Sequence, residues 1–217
     1  MGMLGTATGS ILRLPKVFRA TQVRSGAVRI SARQLETLLD QVESINQRAR
    51  DLVAGRSQAD LTTSLESASW SLAQCLDHLA QTTNAFLPVI SNAIARAPRL
   101  STNRALRTGS LTQLIIRNLE PPYKLRFKVL TALVPREHDF VSARDAFEES
   151  QAQLKGIIQS AIGLAVDQVR IESPVYARFS YNVYGALRLM VAHQRRHLWQ
   201  MEQILKALDG VLSRKAF

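Results

Sequence analysis

Apolar residues recur at intervals of three and four along four long stretches of the chain. These stretches cover residues 31–55, 70–95, 140–162 and 180–210. The spacing places the apolar side chains on one face of an α-helix, whereas the strict alternation typical of a half-buried strand is scarce. Four amphipathic helices that each need to bury one face predict an all-α protein with the architecture of a four-helix bundle.

Capping residues support the predicted starts of these helices. Ser71 and Gln74 form a capping-box pattern, and Trp70 precedes it as a hydrophobic staple would. Asp139 is placed to cap the third helix and Ser180 the fourth, because both side chains accept hydrogen bonds from the first free backbone N–H groups.

The segments outside these helices divide the chain into one domain and two tails. Residues 1–30 carry scattered basic side chains without a sustained period, which predicts a disordered basic tail. Residues 31–210 then form a single four-helix-bundle domain, and residues 211–217 form a C-terminal tail. Residues 97–138 make a long connection between the second and third helices, within which Leu111–Leu119 has the spacing of a short helix.

A net charge of +11 is typical of a protein that binds nucleic acid, but here the positive charge is concentrated in two segments. The tail holds five basic residues and no acid, and residues 97–136 hold eight basic residues and one acid. The rest of the chain is therefore nearly neutral. Tyr123 and Phe127 lie among the basic residues of the connection, so a nucleic-acid contact stays possible there. A solvated loop is the favoured interpretation, and nucleic acid is disfavoured as a partner.

Membrane insertion and disulfide bonding are both excluded by simple counts. No apolar run reaches the ~18 residues that a membrane span requires. Cys75 is the only cysteine, so the chain forms no internal disulfide, which fits a reducing, cytoplasmic location. Cys75 could serve as a nucleophile, but a small core residue is the favoured interpretation.

Two histidines in the fourth helix are the first candidates for chemistry. His193 and His197 are four residues apart and share a helix face with Met190 and Met201, so they interrupt an apolar stripe that faces inward. A buried imidazole needs a partner, which can be a metal, a carboxylate or a backbone carbonyl. Two imidazoles at this spacing can bind one divalent metal.

A third histidine, His78, lies beside the apolar stripe of the second helix. Three neutral imidazoles, from His78, His193 and His197, would leave one position open on a tetrahedral metal, as in catalytic zinc sites. His138, at the start of the third helix, is a weaker candidate for a fourth ligand and is better explained as an exposed loop residue. Core histidines that are hydrogen-bonded to protein remain the alternative for all of them.

The polar residues near the histidine pair admit more than one role. Arg195 and Arg196 can form salt bridges, face solvent or bind a substrate anion. Gln194 stands where the H-E-x-x-H metalloproteases place their general base, which disfavours that mechanism. Glu148 and Glu149 lie off the apolar stripe of the third helix and are expected to be solvated rather than catalytic.

Two motifs resemble the signatures of a known family: Trp70-Ser71-x-x-Gln74-x-Leu76-x-His78-Leu79, and His193-x-x-Arg196-His197-x-Trp199-Gln200. They are similar to the second-helix and last-helix signatures of the DinB-like (DinB/YfiT) four-helix-bundle superfamily, and the resemblance covers about residues 31–208. It implies that His78, His193 and His197 bind a divalent metal, often zinc, nickel or iron, and that the protein is a homodimer. Characterised relatives include low-molecular-weight-thiol transferases and metal-dependent hydrolases.

These observations lead to three hypotheses about function. The favoured one is a cytoplasmic, divalent-metal-dependent enzyme whose open coordination position takes water or a small thiol substrate, for thiol transfer or hydrolysis. A helical bundle that serves as a non-catalytic interaction protein is the alternative. A nucleic-acid binder that uses residues 97–136 is third. The sequence identifies no catalytic residue beyond the three candidate ligands.

Overall fold

Six helices and one small sheet are seen in the described part of the chain. The computed structural model describes residues 30–65, 69–101, 104–122, 133–135, 139–176 and 178–210, and the backbone alone of residues 17–29 and 211–215. In chain order the elements are α1 (Val17–Val53), α2 (Gln58–Thr62), α3 (Leu72–Ile94), α4 (Ser110–Leu119), α5 (Phe140–Ser160), β1 (Arg170–Glu172), β2 (Ser180–Asn182) and α6 (Val183–Lys215).

The four long helices α1, α3, α5 and α6 form a bundle, which confirms the predicted all-α class. α3 packs most extensively on α5, while α6 packs on α1, α3 and α4. Fully buried apolar side chains from all four helices fill the centre, among them Leu35, Leu76, Leu154 and Leu187. None of the helices in the described part of the chain combines the length and apolar character that crossing a membrane requires.

The predicted caps of α3 and α5 are present. The Ser71 hydroxyl accepts a hydrogen bond from the Gln74 backbone N–H at 3.2 Å, and the Gln74 side chain accepts one from the Ser71 N–H at 2.9 Å. The Asp139 carboxylate accepts from the Ser142 N–H at 2.9 Å. Because the capping box fixes where α3 begins, it also fixes Trp70 just before the helix and His78 about two turns into it.

The predicted cap of α6 by Ser180 is wrong. Ser180 lies in β2, which pairs antiparallel with β1 so that Ile171 stands opposite Tyr181. The Asn182 side chain caps α6 instead, since its Oδ1 accepts a hydrogen bond from the Gly185 N–H at 2.7 Å. Strands of three residues are too short to show a period, so the pattern of apolar residues does not predict this hairpin.

Both outer helices extend beyond the bounds predicted for them, while the disordered tail over residues 1–30 stays a prediction. α1 begins at Val17 rather than after Ser31. α6 continues through Gly210 to Lys215. A glycine inside a helix costs only about 1 kcal/mol, which a long helix that is held by packing tolerates. Residues 1–16 lie outside the described residues.

The long connection contains the predicted short helix. α4 (Ser110–Leu119) matches it and packs on α6. α3 continues past Pro88 to Ile94, so the early end considered for that helix does not occur. Residues 123–132 and 136–138 lie outside the described residues, and with them His138 and the aromatic residues of the basic segment.

Removing residues 1–29 should leave the bundle folded. Among the described side chains of α1, burial begins at Ser31 and continues with Leu35, so the truncation leaves that part of the core intact. Thermal melts of the full and truncated chains should show the same cooperative transition with similar midpoints. A large fall in midpoint, or a loss of cooperativity, would show that the N-terminal segment contributes to the core.

Candidate metal centre

Helices α3 and α6 bring the three predicted histidines together. The Nε2 atom of His193 lies 3.4 Å from Nε2 of His78 and 3.1 Å from Nε2 of His197. The ligand atoms of the three residues all lie within 4.8 Å of one another. His78 and His197 are buried, with 3% and 6% of their surface exposed, and His193 is half-buried.

Hydrogen bonds at the far side of two rings fix which nitrogen faces the centre. Nδ1 of His78 lies 2.8 Å from the Leu133 carbonyl oxygen, and Nδ1 of His197 lies 3.0 Å from Oε1 of Gln200. Both oxygens accept, so each Nδ1 carries the hydrogen and each Nε2 presents a lone pair. His193 can donate to only one of these lone pairs, so a cation at the centre would relieve the remaining repulsion.

Burial keeps the three imidazoles neutral. It is the main cause that lowers the pKa of His193 to about 3, and the nearby His78 and Arg196 lower it further. Burial likewise lowers the pKa of His197 well below its usual value, and it lowers that of His78 despite the hydrogen bond to Leu133. Neutral imidazole is the form that binds metal, and these rings do not take up a second proton at neutral pH.

The donor set fits a divalent transition metal. Two nitrogen ligands at about 2.0–2.1 Å from a tetrahedral ion lie roughly 3.3 Å apart, close to the two Nε2 separations in the structure. Imidazole nitrogens suit zinc, nickel and iron better than magnesium or calcium, which prefer oxygen. In the part of the chain that the structure describes, this is the one group of three or more ligating side chains close enough to share an ion.

Trp70 forms one wall of the centre. Its ring lies parallel to that of His197, with centroids 5.6 Å apart and an interplanar angle of 16°, and it tilts against His78 at 4.7 Å. The sequence indicated Trp70 as a staple at the start of α3 but not this contact with two candidate ligands. The stacking limits how far either imidazole can turn.

Two neighbours of the histidines proved to be structural. Arg195 forms an ion pair with Glu120, with Nε 2.9 Å from Oε2, which matches its interpretation as a salt-bridge residue. Gln194 is buried and donates to the Thr83 hydroxyl at 3.4 Å. Arg196 is also buried, and its charge lowers the pKa of the nearest imidazoles.

The remaining candidates from the sequence do not belong to the histidine cluster. Cys75 is fully buried, and burial raises the pKa of its thiol. Both observations favour a small core residue over a nucleophile. Glu148 and Glu149 are exposed, as expected. In the basic connection, Arg104 pairs with Asp167, with Nη2 3.0 Å from Oδ1, so its charge is balanced within the fold.

Chelator-treated protein should lose thermal stability as the pH falls from about 7 to about 4. A histidine in the unfolded chain has a pKa near 6.5, whereas burial lowers the pKa of His193 to about 3 in the fold. Between these values the unfolded chain binds more protons, so the stability that is complete above about pH 6.5 decreases with acidification. Melting midpoints across this range should fall more steeply for the wild type than for His193→Gln, and equal slopes would contradict the pKa assignment.

The comparisons with known proteins point to one family. The model of the DinB superfamily matches residues 41–201, most of the chain. The match contains all three histidines together with Trp70 and Gln200. No curated protein sequence and no solved structure shows significant similarity to the chain.

Proposed function

The chain belongs to the DinB superfamily, and from this premise we propose that it is a divalent-metal-dependent enzyme. His78, His193 and His197 would hold the ion and leave one coordination position for water or a small thiol. The observation that carries this proposal is the convergence of three Nε2 atoms, two of which belong to rings whose Nδ1 hydrogen is already bonded to an oxygen.

The metal would supply Lewis acidity and lower the pKa of a thiol or water at the open position. The chain's own residues position the site. The Leu133 carbonyl and the Gln200 side chain orient two of the imidazoles, and Trp70 covers them. The buried guanidinium of Arg196 adds a positive charge near His193 and His197, which favours an anionic substrate group such as a thiolate.

Thiol transfer or hydrolysis is the reaction that this arrangement supports best. Cys75 is fully buried, and burial raises the pKa of its thiol, so the nucleophile is the substrate thiol or water rather than the protein's own cysteine. Zinc, nickel and iron all suit three imidazoles.

Metal analysis followed by activity assays tests this function. Protein purified without a histidine tag should contain, or take up, one divalent ion per chain. A panel of thiol-transfer and hydrolase assays should then show an activity that chelation removes and one metal restores. Failure to bind zinc, nickel or iron after reconstitution would exclude the enzyme. Stable binding without activity across the panel would favour the non-catalytic interaction protein.

We further propose that the protein is a homodimer in the cytoplasm. The homodimer is what the family resemblance implies, and a reducing compartment fits a chain whose only cysteine is buried. Light scattering on the purified protein should give about twice the chain mass of 24.1 kDa. A mass equal to that of one chain would exclude the dimer and leave the proposed metal site unaffected.

A further inference from the structure

A cavity of about 390 Å³ lies between α1, α4 and α6, on the side of α6 that faces away from the metal centre. The polar and charged side chains that line it include Gln34, Gln41, Glu120, Tyr184, Arg188 and Arg195. At 3.6 residues per turn, Arg188 and Arg195 project from the side of α6 opposite His193, so this cavity is separate from the candidate metal centre.

Arg195 shows how a guanidinium in this cavity is balanced. Its Nε and Nη2 edge binds both carboxylate oxygens of Glu120, with Nε 2.9 Å from Oε2. Its Nη1 donates to Oε1 of Gln41 at 3.3 Å. A bidentate pair of this kind is among the strongest hydrogen-bonded ion pairs in proteins. The charge of Arg195 is therefore neutralised within the chain.

Arg188 lies two turns earlier on the same face, and none of the described carboxylates pairs with it. Its Nη1 donates to two neutral oxygens, the Thr108 hydroxyl at 2.7 Å and Oε1 of Gln113 at 2.8 Å. Its guanidinium carbon lies 5.9 Å from the centroid of the Tyr184 ring. Among the described residues, no acceptor bonds Nε or Nη2 of Arg188. The edge that Arg195 uses for Glu120 is therefore left without a described partner in a guanidinium that is already held in place.

The other groups of the cavity favour an anion as well. Gln34 donates to the Tyr184 hydroxyl oxygen at 3.3 Å, which leaves the phenol hydrogen for a further acceptor. Burial raises the pKa of Tyr184, so this hydrogen is retained at neutral pH. Among the described lining residues there are two guanidinium groups and one carboxylate, that of Glu120, and the buried side chains of Leu38 and Ile116 add apolar walls.

We propose that this cavity binds a small organic carboxylate, with Arg188 as its bidentate partner. A carboxylate matches the planar fork of the open Nε and Nη2 edge and restores the charge balance of the cavity. The volume lies in the range of small-molecule sites, about 300–1,000 Å³. The site adds a second ligand to the proposed metal-dependent function and does not depend on it.

Calorimetric titration of the full chain tests the proposal with acetate, benzoate and succinate as probes, each compared with its neutral amide. At least one carboxylate should bind saturably at one per chain, and its amide should not compete. Arg188→Gln should weaken binding about 10- to 100-fold, because a charge-assisted pair is lost. Arg188→Lys keeps the charge without the planar guanidinium, so its affinity should lie between those of the wild type and Arg188→Gln. Arg170→Gln is the matched control, since Arg170 donates to Ser180 outside the cavity.

A second measurement uses the unaltered protein and needs no variant to fold. Phenylglyoxal modifies arginines, and the bound carboxylate should protect Arg188 but not Arg170 when the products are read by mass spectrometry. No saturable binding of any probe at about 10 mM, or equal affinity in Arg188→Gln and the wild type, would overturn the proposal. Carboxylate binding should be unchanged in His197→Ala. A failure of the carboxylate proposal can therefore be distinguished from a failure of the metal-site proposal.

Discussion

Replacing His197 by alanine should lower the affinity for a divalent metal by more than about 100-fold. Loss of a group that only orients a ligand costs about 10- to 100-fold, and this change removes one of three ligands outright. It also removes the ring whose Nε2 lies 3.1 Å from that of His193. Competition with a chelator of known affinity, using zinc and nickel, measures the loss, and metal analysis after dialysis measures the occupancy.

The same variant should still fold cooperatively. The leucines at the centre of the bundle are unchanged, and the main local loss is the stacked partner of Trp70. His138→Ala is the matched control from the sequence, since that residue is predicted to be an exposed loop histidine, and it should leave occupancy unchanged. If wild type and His197→Ala bound metal equally, the triad would be reduced to three core histidines.

The fold was predictable where a helix buries one face along its whole length. The stripe that includes Leu76 and Leu79, and the one that includes Phe147 and Leu154, gave both the helices and their inward sides. The residues of α1 that precede Ser31 carry no sustained apolar period, so periodicity did not predict those helical turns. It also gave none of the β1–β2 hairpin, whose strands have three residues each.

The candidate site was predictable from its side chains but not from their supports. His193 and His197 follow from helical spacing, and His78 from its motif. Leu133 contributes only a backbone carbonyl, which any residue carries, so the sequence holds no trace of its role. Gln200 stands three residues after His197, a spacing that brings two side chains together on a helix and could have identified the contact.

The cavity around Arg188 illustrates a different limit. Thr108 and Gln113 lie 80 and 75 residues from Arg188 in the chain, and both belong to the stretch around the start of α4. No local pattern specifies such partners, since only the packing of α4 against α6 brings them together. In the sequence, Arg188 and Arg195 look alike, and only the fold shows that one has a carboxylate partner.

Gln200→Ala should lower the metal affinity about 10- to 100-fold, although Gln200 is not itself a candidate ligand. Its Oε1 lies 3.0 Å from Nδ1 of His197 and accepts the hydrogen there, which keeps the lone pair of that ring on Nε2. Without this acceptor, His197 can turn or adopt the other tautomer, and both changes move the lone pair from the centre. Gln200→Glu keeps an acceptor at the same place and should retain the affinity. Chelator competition measures the affinities, and nitrogen chemical shifts of the imidazoles report the tautomer.

Gln203→Ala is the matched control for the tautomer argument. Gln203 lies on the same helix and donates to the Trp199 carbonyl at 3.5 Å, so its removal perturbs α6 without taking an acceptor from a histidine. It should leave both the metal affinity and the His197 tautomer unchanged. An equal loss in Gln203→Ala and Gln200→Ala would assign the effect to general loosening of the helix. Wild-type affinity in Gln200→Ala would show that stacking on Trp70 alone orients His197.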